Sequence, residues 1–165
     1  MGPVRLVLIS DTHLPHRGRD LPDEVWTAVE SADVVIHAGD WVSTDLLDAL
    51  SARSARLVGC WGNNDGPALR ERLPERADVT LAGVRFTVVH ETGVSAGREA
   101  RMAARYPDTD VLVFGHSHIP WDTEAANGLR LINPGSPTDR RRQPFCTYMT
   151  AEVDGGAVGV TLHRL

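Results

Sequence analysis

An α/β fold of two packed sheets with helices outside is what this sequence predicts, and two features predict it. Up to residue 59, apolar runs alternate with amphipathic segments as β-α-β-α-β, the rhythm of parallel strands joined by helices. After residue 65, three turn signals (Ala82-Gly83, Asn127-Gly128 and Asp154-Gly155-Gly156) each lie between apolar runs, as in antiparallel hairpins. No linker, low-complexity stretch or repeat interrupts the chain, so residues 1–165 are expected to form a single domain.

Each element has its own warrant. Val4 to Ile9 is a compact run of β-branched and Leu residues, a buried-strand signal. Asp23 to Glu30 reads as a helix opened by Pro22, which suits a first turn. Asp33 to Ala38 is a second strand. Thr44 to Arg53 places Leu46, Leu47 and Leu50 on one helical face, with Ser43 as N-cap. Arg56 to Gly59 is a third strand. Val79–Leu81 and Val84–Val89 form the first hairpin, and Gly97 to Tyr106 is helical. Val111 to Phe114 is a short strand. Thr123–Ala125 with Leu129–Ile132, and Phe145–Val153 with Val158–His163, form the other two hairpins.

Composition narrows the function. A hydrophobic fraction of 42% supports a packed core rather than disorder. The net charge is −5, from 22 acidic and 17 basic residues, which argues against a nucleic-acid partner. Every basic residue is Arg, which favours bidentate phosphate contacts where one is needed. The two cysteines, Cys60 and Cys146, form no CxxC or disulfide-scaffold pattern, consistent with a reducing cytoplasm. The opening MGPVRLVLISDTH does not read as a signal peptide, and no stretch approaches the roughly 20 apolar residues of a membrane span. A cytoplasmic protein without a membrane partner is expected.

The chemistry collects at strand ends. The first strand runs into Ser10-Asp11-Thr12-His13, the second into Gly39-Asp40, and the third into Gly62-Asn63-Asn64-Asp65. The hairpin strand ends at His90, and the run before Gly115 ends in His116 and His118. Ligands of open α/β sheets bind at the carboxyl ends of strands, so five segments aim oxygen and nitrogen donors at one edge. Residues i and i+2 of an extended segment share a direction, which pairs Asp11 with His13 and His116 with His118. Taken singly, Asp11 and Asp40 read as turn acids, the Gly-Asn-Asn-Asp stretch as turn chemistry, and His90 as a core histidine. Together, Asp11, His13, Asp40, Asn63, His90, His116 and His118 are too many donors for one tetrahedral ion, which needs about four. They suit two ions about 3.5–4 Å apart with a bridging carboxylate. Asp40 is the expected bridge, since it lies between the Asp11 and Asn63 segments. Mixed imidazole, carboxylate and amide donors fit Mn, Fe, Co, Ni or Zn rather than calcium.

In this order the motifs Asp11-x-His13, Gly39-Asp40, Gly62-Asn63, His90 and Gly115-His116-Ser117-His118 resemble those of the calcineurin-like metallophosphoesterases. The likeness is strongest to their small single-domain phosphodiesterase branch, and Asn133-Pro134-Gly135-Ser136-Pro137 resembles a late motif of that branch. The resemblance implies a four-layer αββα sandwich and a site for two divalent ions, Mn first among them. One ion would take Asp11, His13, Asp40 and His118; the other would take Asp40, Asn63, His90 and His116. It implies hydrolysis of a small phosphate ester by metal-bound hydroxide.

Two positions depart from the family pattern. Asn64 stands where many relatives carry His; it donates a hydrogen bond but cannot act as a general acid. This favours activated phosphodiesters, with Asn64 orienting a phosphoryl oxygen. Glu91 follows His90 where many relatives have Gly. Asp65 is expected to fix a ligand imidazole. The remaining candidates read as support: His37 as structural or as a residue behind the metal ligands, His16 and His163 as surface residues without partners in sequence, Trp61 and Trp121 as packing residues or stacking surfaces for an aryl or nucleoside group, Arg140 to Arg142 as a solvated loop with a substrate-phosphate or partner contact as the alternative, and Asn133 to Pro137 as a rigid turn. The alternatives to a phosphodiesterase are a phosphomonoesterase acting on a nucleotide, sugar phosphate or phosphoprotein, and a non-catalytic scaffold of the same fold.

Overall fold

The computed structural model describes residues 2–165. Its first sheet is built from β1 (Val4–Ile9), β2 (Val34–His37), β3 (Leu57–Gly59), β9 (Thr147–Asp154) and β10 (Ala157–Arg164), in the order β10-β9-β1-β2-β3. Strands β1, β2 and β3 are parallel; β9 runs antiparallel to β1 and pairs with β10 as a hairpin. The second sheet holds β4 (Arg76–Leu81), β5 (Val84–Val89), β6 (Val111–Val113), β7 (Trp121–Glu124) and β8 (Arg130–Asn133), in the order β4-β5-β6-β8-β7. Here β5, β6 and β8 are parallel, with antiparallel β4 and β7 at the edges.

The period of two along β1 explains the layering. Leu6 and Leu8 face the second sheet, joining Ile36, Phe86, Val88, Val113, Ile132 and Met149 in the core between the sheets. Val7 and Ile9 face outward onto α1 (Asp23–Ser31) and α2 (Thr44–Arg53), where Val25, Val29, Leu47 and Leu50 meet them. On the far side, Leu112, Phe114 and Leu131 pack against Met102 of α4 (Arg98–Arg105). The result is the αββα sandwich.

Most elements match the sequence pattern. The N-cap of α2 is Ser43, whose side chain accepts from the Asp45 amide at 3.0 Å. One helix falls outside it: α3 (Pro67–Arg72) is six residues long and buries only Leu69, too little periodicity to announce itself. His163 differs from expectation as well. It is half-buried, stacked on Tyr148 at 4.6 Å, and 2.7 Å from the Thr150 hydroxyl. Among the described residues, no helix is long and apolar enough to cross a membrane.

Candidate metal centre

The strands β1, β2, β3, β5 and β6 all stop short of the residues that carry chemistry, and those residues sit in five loops packed against one another. The loops interlock through the backbone: the Asp11 amide donates to the Gly39 carbonyl at 2.9 Å, the His13 amide to Asp40 at 3.1 Å, and the Gly115 amide to His90 at 3.0 Å. Asp11, His13, Asp40, His116 and His118 all adopt positive φ, at 54°, 47°, 63°, 76° and 62°. The i, i+2 pairs therefore do not converge because they lie in extended strands. They converge because each loop curls through the left-handed region, a conformation non-glycine residues hold only when surrounding contacts impose it.

Close packing imposes it. A Cβ on Gly115 would lie 2.6 Å from Asp11 Oδ2 and collide with the Ser10 hydroxyl. A Cβ on Gly62 would lie 2.5 Å from the Asp40 amide nitrogen and collide with its carboxylate. Both glycines are required by the approach of neighbouring chain. The Asn133–Pro137 turn clamps the arrangement from below. Asn133 Nδ2 donates to the Gly115 carbonyl at 3.2 Å, and the Ser136 hydroxyl to the Asp11 carbonyl at 2.8 Å. Thr138 extends the clamp by donating to the Thr12 carbonyl at 2.5 Å.

Five side chains converge. Asp11 Oδ1 lies 3.9, 3.7 and 3.5 Å from Nε2 of His13, His90 and His118. Asp40 Oδ2 lies 3.3 Å from His13 Nε2 and 3.4 Å from His90 Nε2. Two donor groupings follow, Asp11-His13-His118 and Asp11-Asp40-His90. All five residues are buried. Asp11 Oδ1 and the Nε2 atoms of His13, His90 and His118 are buried with no hydrogen-bond partner among the described residues. Buried polar atoms are normally paired, so four orphans aimed at one another are what a cation would satisfy. This donor set fits the divalent ions expected from the sequence.

Asn63 and His116 flank this cluster at its exposed lip. His116 Nδ1 lies 3.2 Å from Asn63 Oδ1, and the His116 ring sits edge-on to His90 at 5.3 Å. Glu91 is beside them, its Oε1 3.8 Å from His116 Nδ1.

The imidazoles are oriented by backbone carbonyls. His90 Nδ1 lies 2.7 Å from the Ala38 carbonyl and His118 Nδ1 2.5 Å from that of Asp139, so each protonates at Nδ1 and turns Nε2 inward. Asp65 does not take that role. Its buried carboxylate accepts three backbone amides: Asp40 at 2.9 Å and Gly62 at 2.8 Å on Oδ2, and Val42 at 2.7 Å on Oδ1. It ties the β2 and β3 loops together. Asn64 also differs from expectation, since its Nδ2 donates to Asp40 Oδ2 at 2.8 Å and its amide to Asp40 Oδ1 at 2.9 Å. It holds the carboxylate instead of offering its amide to a ligand.

His37 is structural, as expected. It is fully buried and stacked on Trp41 at 3.8 Å. The Gly39 amide donates to its Nδ1 at 3.1 Å, which leaves Nε2–H to donate to Thr12 Oγ1 at 3.0 Å. Burial pushes its pKa down to about 3, so the ring stays neutral in the form this network requires.

Charge at the centre is polarised. Burial opposes ionisation of Asp11, but His13, His90, His118 and the Ser10 hydroxyl outweigh it and hold the carboxyl below the usual range. Burial opposes ionisation of Asp40 as well, but His90 and Asn64 outweigh it and hold that carboxyl below the usual range too. Burial opposes the charging of His90, but Asp40 and Asp11 prevail and raise it to about 9, whereas burial keeps His118 below its ordinary value.

Comparison with known proteins bears on the family and the fold. Residues 4–156 match the family model described as the calcineurin-like phosphoesterase superfamily domain. The chain belongs to that superfamily. A probable metallophosphoesterase of Methanocaldococcus jannaschii is 34% identical over 138 residues, covering 83% of this chain and 70% of the relative. A phosphodiesterase of the same archaeon is 28% identical over 160 residues, covering 89% and 87%. The solution structure of a Thermotoga maritima protein, 35% identical, superposes with a TM-score of 0.78 over 98% of this chain and 99% of that one. Vacuolar protein sorting 29 of Cryptosporidium parvum shares the fold at 19% identity, with a TM-score of 0.80 over 100% and 99% of the two chains.

Proposed function

We propose that this chain is a phosphodiesterase dependent on two divalent metal ions, with Asp11, His13, Asp40 and His118 holding one and Asp40, Asn63, His90 and His116 the other. The observation that carries the proposal is the set of four buried, mutually facing donor atoms without partners on Asp11, His13, His90 and His118. Asp40 Oδ2, near-equidistant from His13 and His90, supports its role as bridge. When bound, two divalent ions supply Lewis acidity and an activated water nucleophile near neutral pH; manganese is the first to test.

The chain's own residues do the rest. Asp11 and Asp40 contribute two negative charges, and His13, His90, His116 and His118 add none when their imidazoles ligate a metal in place of a proton, so a phosphate ester would meet a net positive centre once the ions are in place. Asn64 and Asp65 fix Asp40 from its side chain and its backbone. Neither is a proton donor to a leaving group, and Asn64 occupies the position where one would stand. Attack by water therefore breaks the P–O bond fastest when the departing oxygen needs little help with its proton. That favours activated diesters over monoesters of poor leaving groups. Both cysteines are free, in keeping with a reducing cytoplasm as the working compartment.

The test is turnover of bis-p-nitrophenyl phosphate and p-nitrophenyl phosphate after loading with Mn, Ni, Co or Zn. The phosphodiesterase reading expects the diester to be the better substrate. A reversed preference supports a phosphomonoesterase. No turnover of either ester by folded, metal-loaded protein leaves the scaffold reading.

A further inference from the structure

A groove of about 380 Å³ opens directly onto the metal centre, with Asn63 and His90 forming its inner wall. Its size falls within the roughly 300–1,000 Å³ of small-molecule sites. One side of it is a stacked pair of planar groups. Half-buried Trp61 carries the Arg70 guanidinium 4.0 Å from its ring centroid, and Arg70 is itself anchored through Nε to the Asp65 carbonyl at 2.7 Å. Opposite them, Arg76 and Arg105 lie 5.0 and 5.7 Å from the ring of Tyr106.

The charge of the groove narrows what can occupy it. Arg76 is paired with Asp78 at 3.0 Å, outside the groove. That leaves Arg70 and Arg105 against Glu75 and Glu91, a balance near zero. A second phosphate would meet two carboxylates, and a cation would meet two guanidinium groups. A flat, neutral group that both donates and accepts hydrogen bonds meets stacking surfaces below and donors and acceptors around it. Nucleobases have these properties, and aromatic and guanidinium planes stack on them. The net charge of −5 argues against a long polyanion, so the groove suits one nucleoside and not a polymer.

We propose that this groove binds the nucleoside substituent of the scissile phosphodiester, with the base on the Trp61–Arg70 shelf. The inference rests on the phosphodiesterase reading and names its substrate class. Glu91 then has a use: it accepts a hydrogen bond from the nucleoside and discourages a second phosphate beside the centre.

Two measurements on the metal-loaded full chain test it. Calorimetry compares binding of adenosine 5′-monophosphate and ribose 5-phosphate, which share the ribose phosphate and differ at C1′, where one carries the base and the other a hydroxyl. The expected preference for the nucleotide is about tenfold or more, and Trp61→Ala is expected to abolish it. Arg70→Ala, on an exposed side chain, should reduce it and serves if Trp61→Ala does not fold. Kinetics then compares p-nitrophenyl thymidine 5′-phosphate with methyl p-nitrophenyl phosphate, and Trp61→Ala should lower the ratio of the two kcat/KM values by a similar factor. Equal affinity for the two phosphates, or a preference unaltered by both variants, overturns the proposal. The two readings fail separately: base-dependent binding without turnover of any diester removes the enzyme reading only, whereas brisk turnover with no base preference removes the groove assignment only.

Discussion

Replacing Asp65 by Asn changes one oxygen to an amide nitrogen and removes a charge, at a carboxylate that accepts three backbone amides at 2.7–2.9 Å. Hydrogen bonds to a charged group contribute about 1.5–3 kcal/mol and neutral ones about 0.5–1.5 kcal/mol. If the amide oxygen keeps the two donors from Asp40 and Gly62, each loses about 1 kcal/mol. The Val42 amide then faces an NH₂ group and loses a charge-assisted bond in a half-buried position, at about 2 kcal/mol. The expected destabilisation of metal-free protein is about 4 kcal/mol, measured as the midpoint shift in urea at constant m. Because the amides belong to the loops carrying Asp40 and Asn63, metal affinity should fall as well. A variant within about 0.5 kcal/mol of wild type, the usual scatter of innocuous surface changes, would refute this account of Asp65.

Other outcomes follow from the same geometry. His37, neutral in the fold with a pKa near 3 against 6.5 unfolded, makes a contribution to stability that is fully present above pH 6.5 and progressively lost as pH falls toward 3. The loss is about 1.4 kcal/mol per pH unit in that window, and His37→Asn should flatten the slope of urea stability against pH; an unchanged slope would exclude His37 as the source. Asp40→Asn should weaken both metal sites together in calorimetric titration, and two ions retained at wild-type affinity would contradict a bridging role. Gly115→Ala forces a methyl against Asp11 and Ser10 and should cost metal affinity more than tenfold, whereas normal binding would show that the β6 loop can yield.

Much of this was legible in the sequence, for identifiable reasons. The edges of β1 and α2 coincide with the expected ones because apolar period, N-cap and turn residues agree there. The five donor segments were legible because each ends a strand. What the sequence hides is the curl of the loops. Asp11 with His13, and His116 with His118, look like alternating strand residues, yet all four adopt positive φ. The partners of His90 and His118 are the carbonyls of Ala38 and Asp139, and no side-chain pattern marks a carbonyl. Asp65 was expected beside an imidazole because acids commonly sit there; its neighbours in sequence do not reveal that it folds back onto amides from two loops. Asn64 is similar: the missing His was legible, but not that the replacement turns toward Asp40.

The most direct test of the metal centre is a crystal structure of the chain loaded with manganese, with anomalous scattering to locate the ions. Two peaks are predicted, one touching Asp11, His13, Asp40 and His118, the other Asp40, Asn63, His90 and His116. A single peak, or a pair that does not share Asp40, would contradict the account.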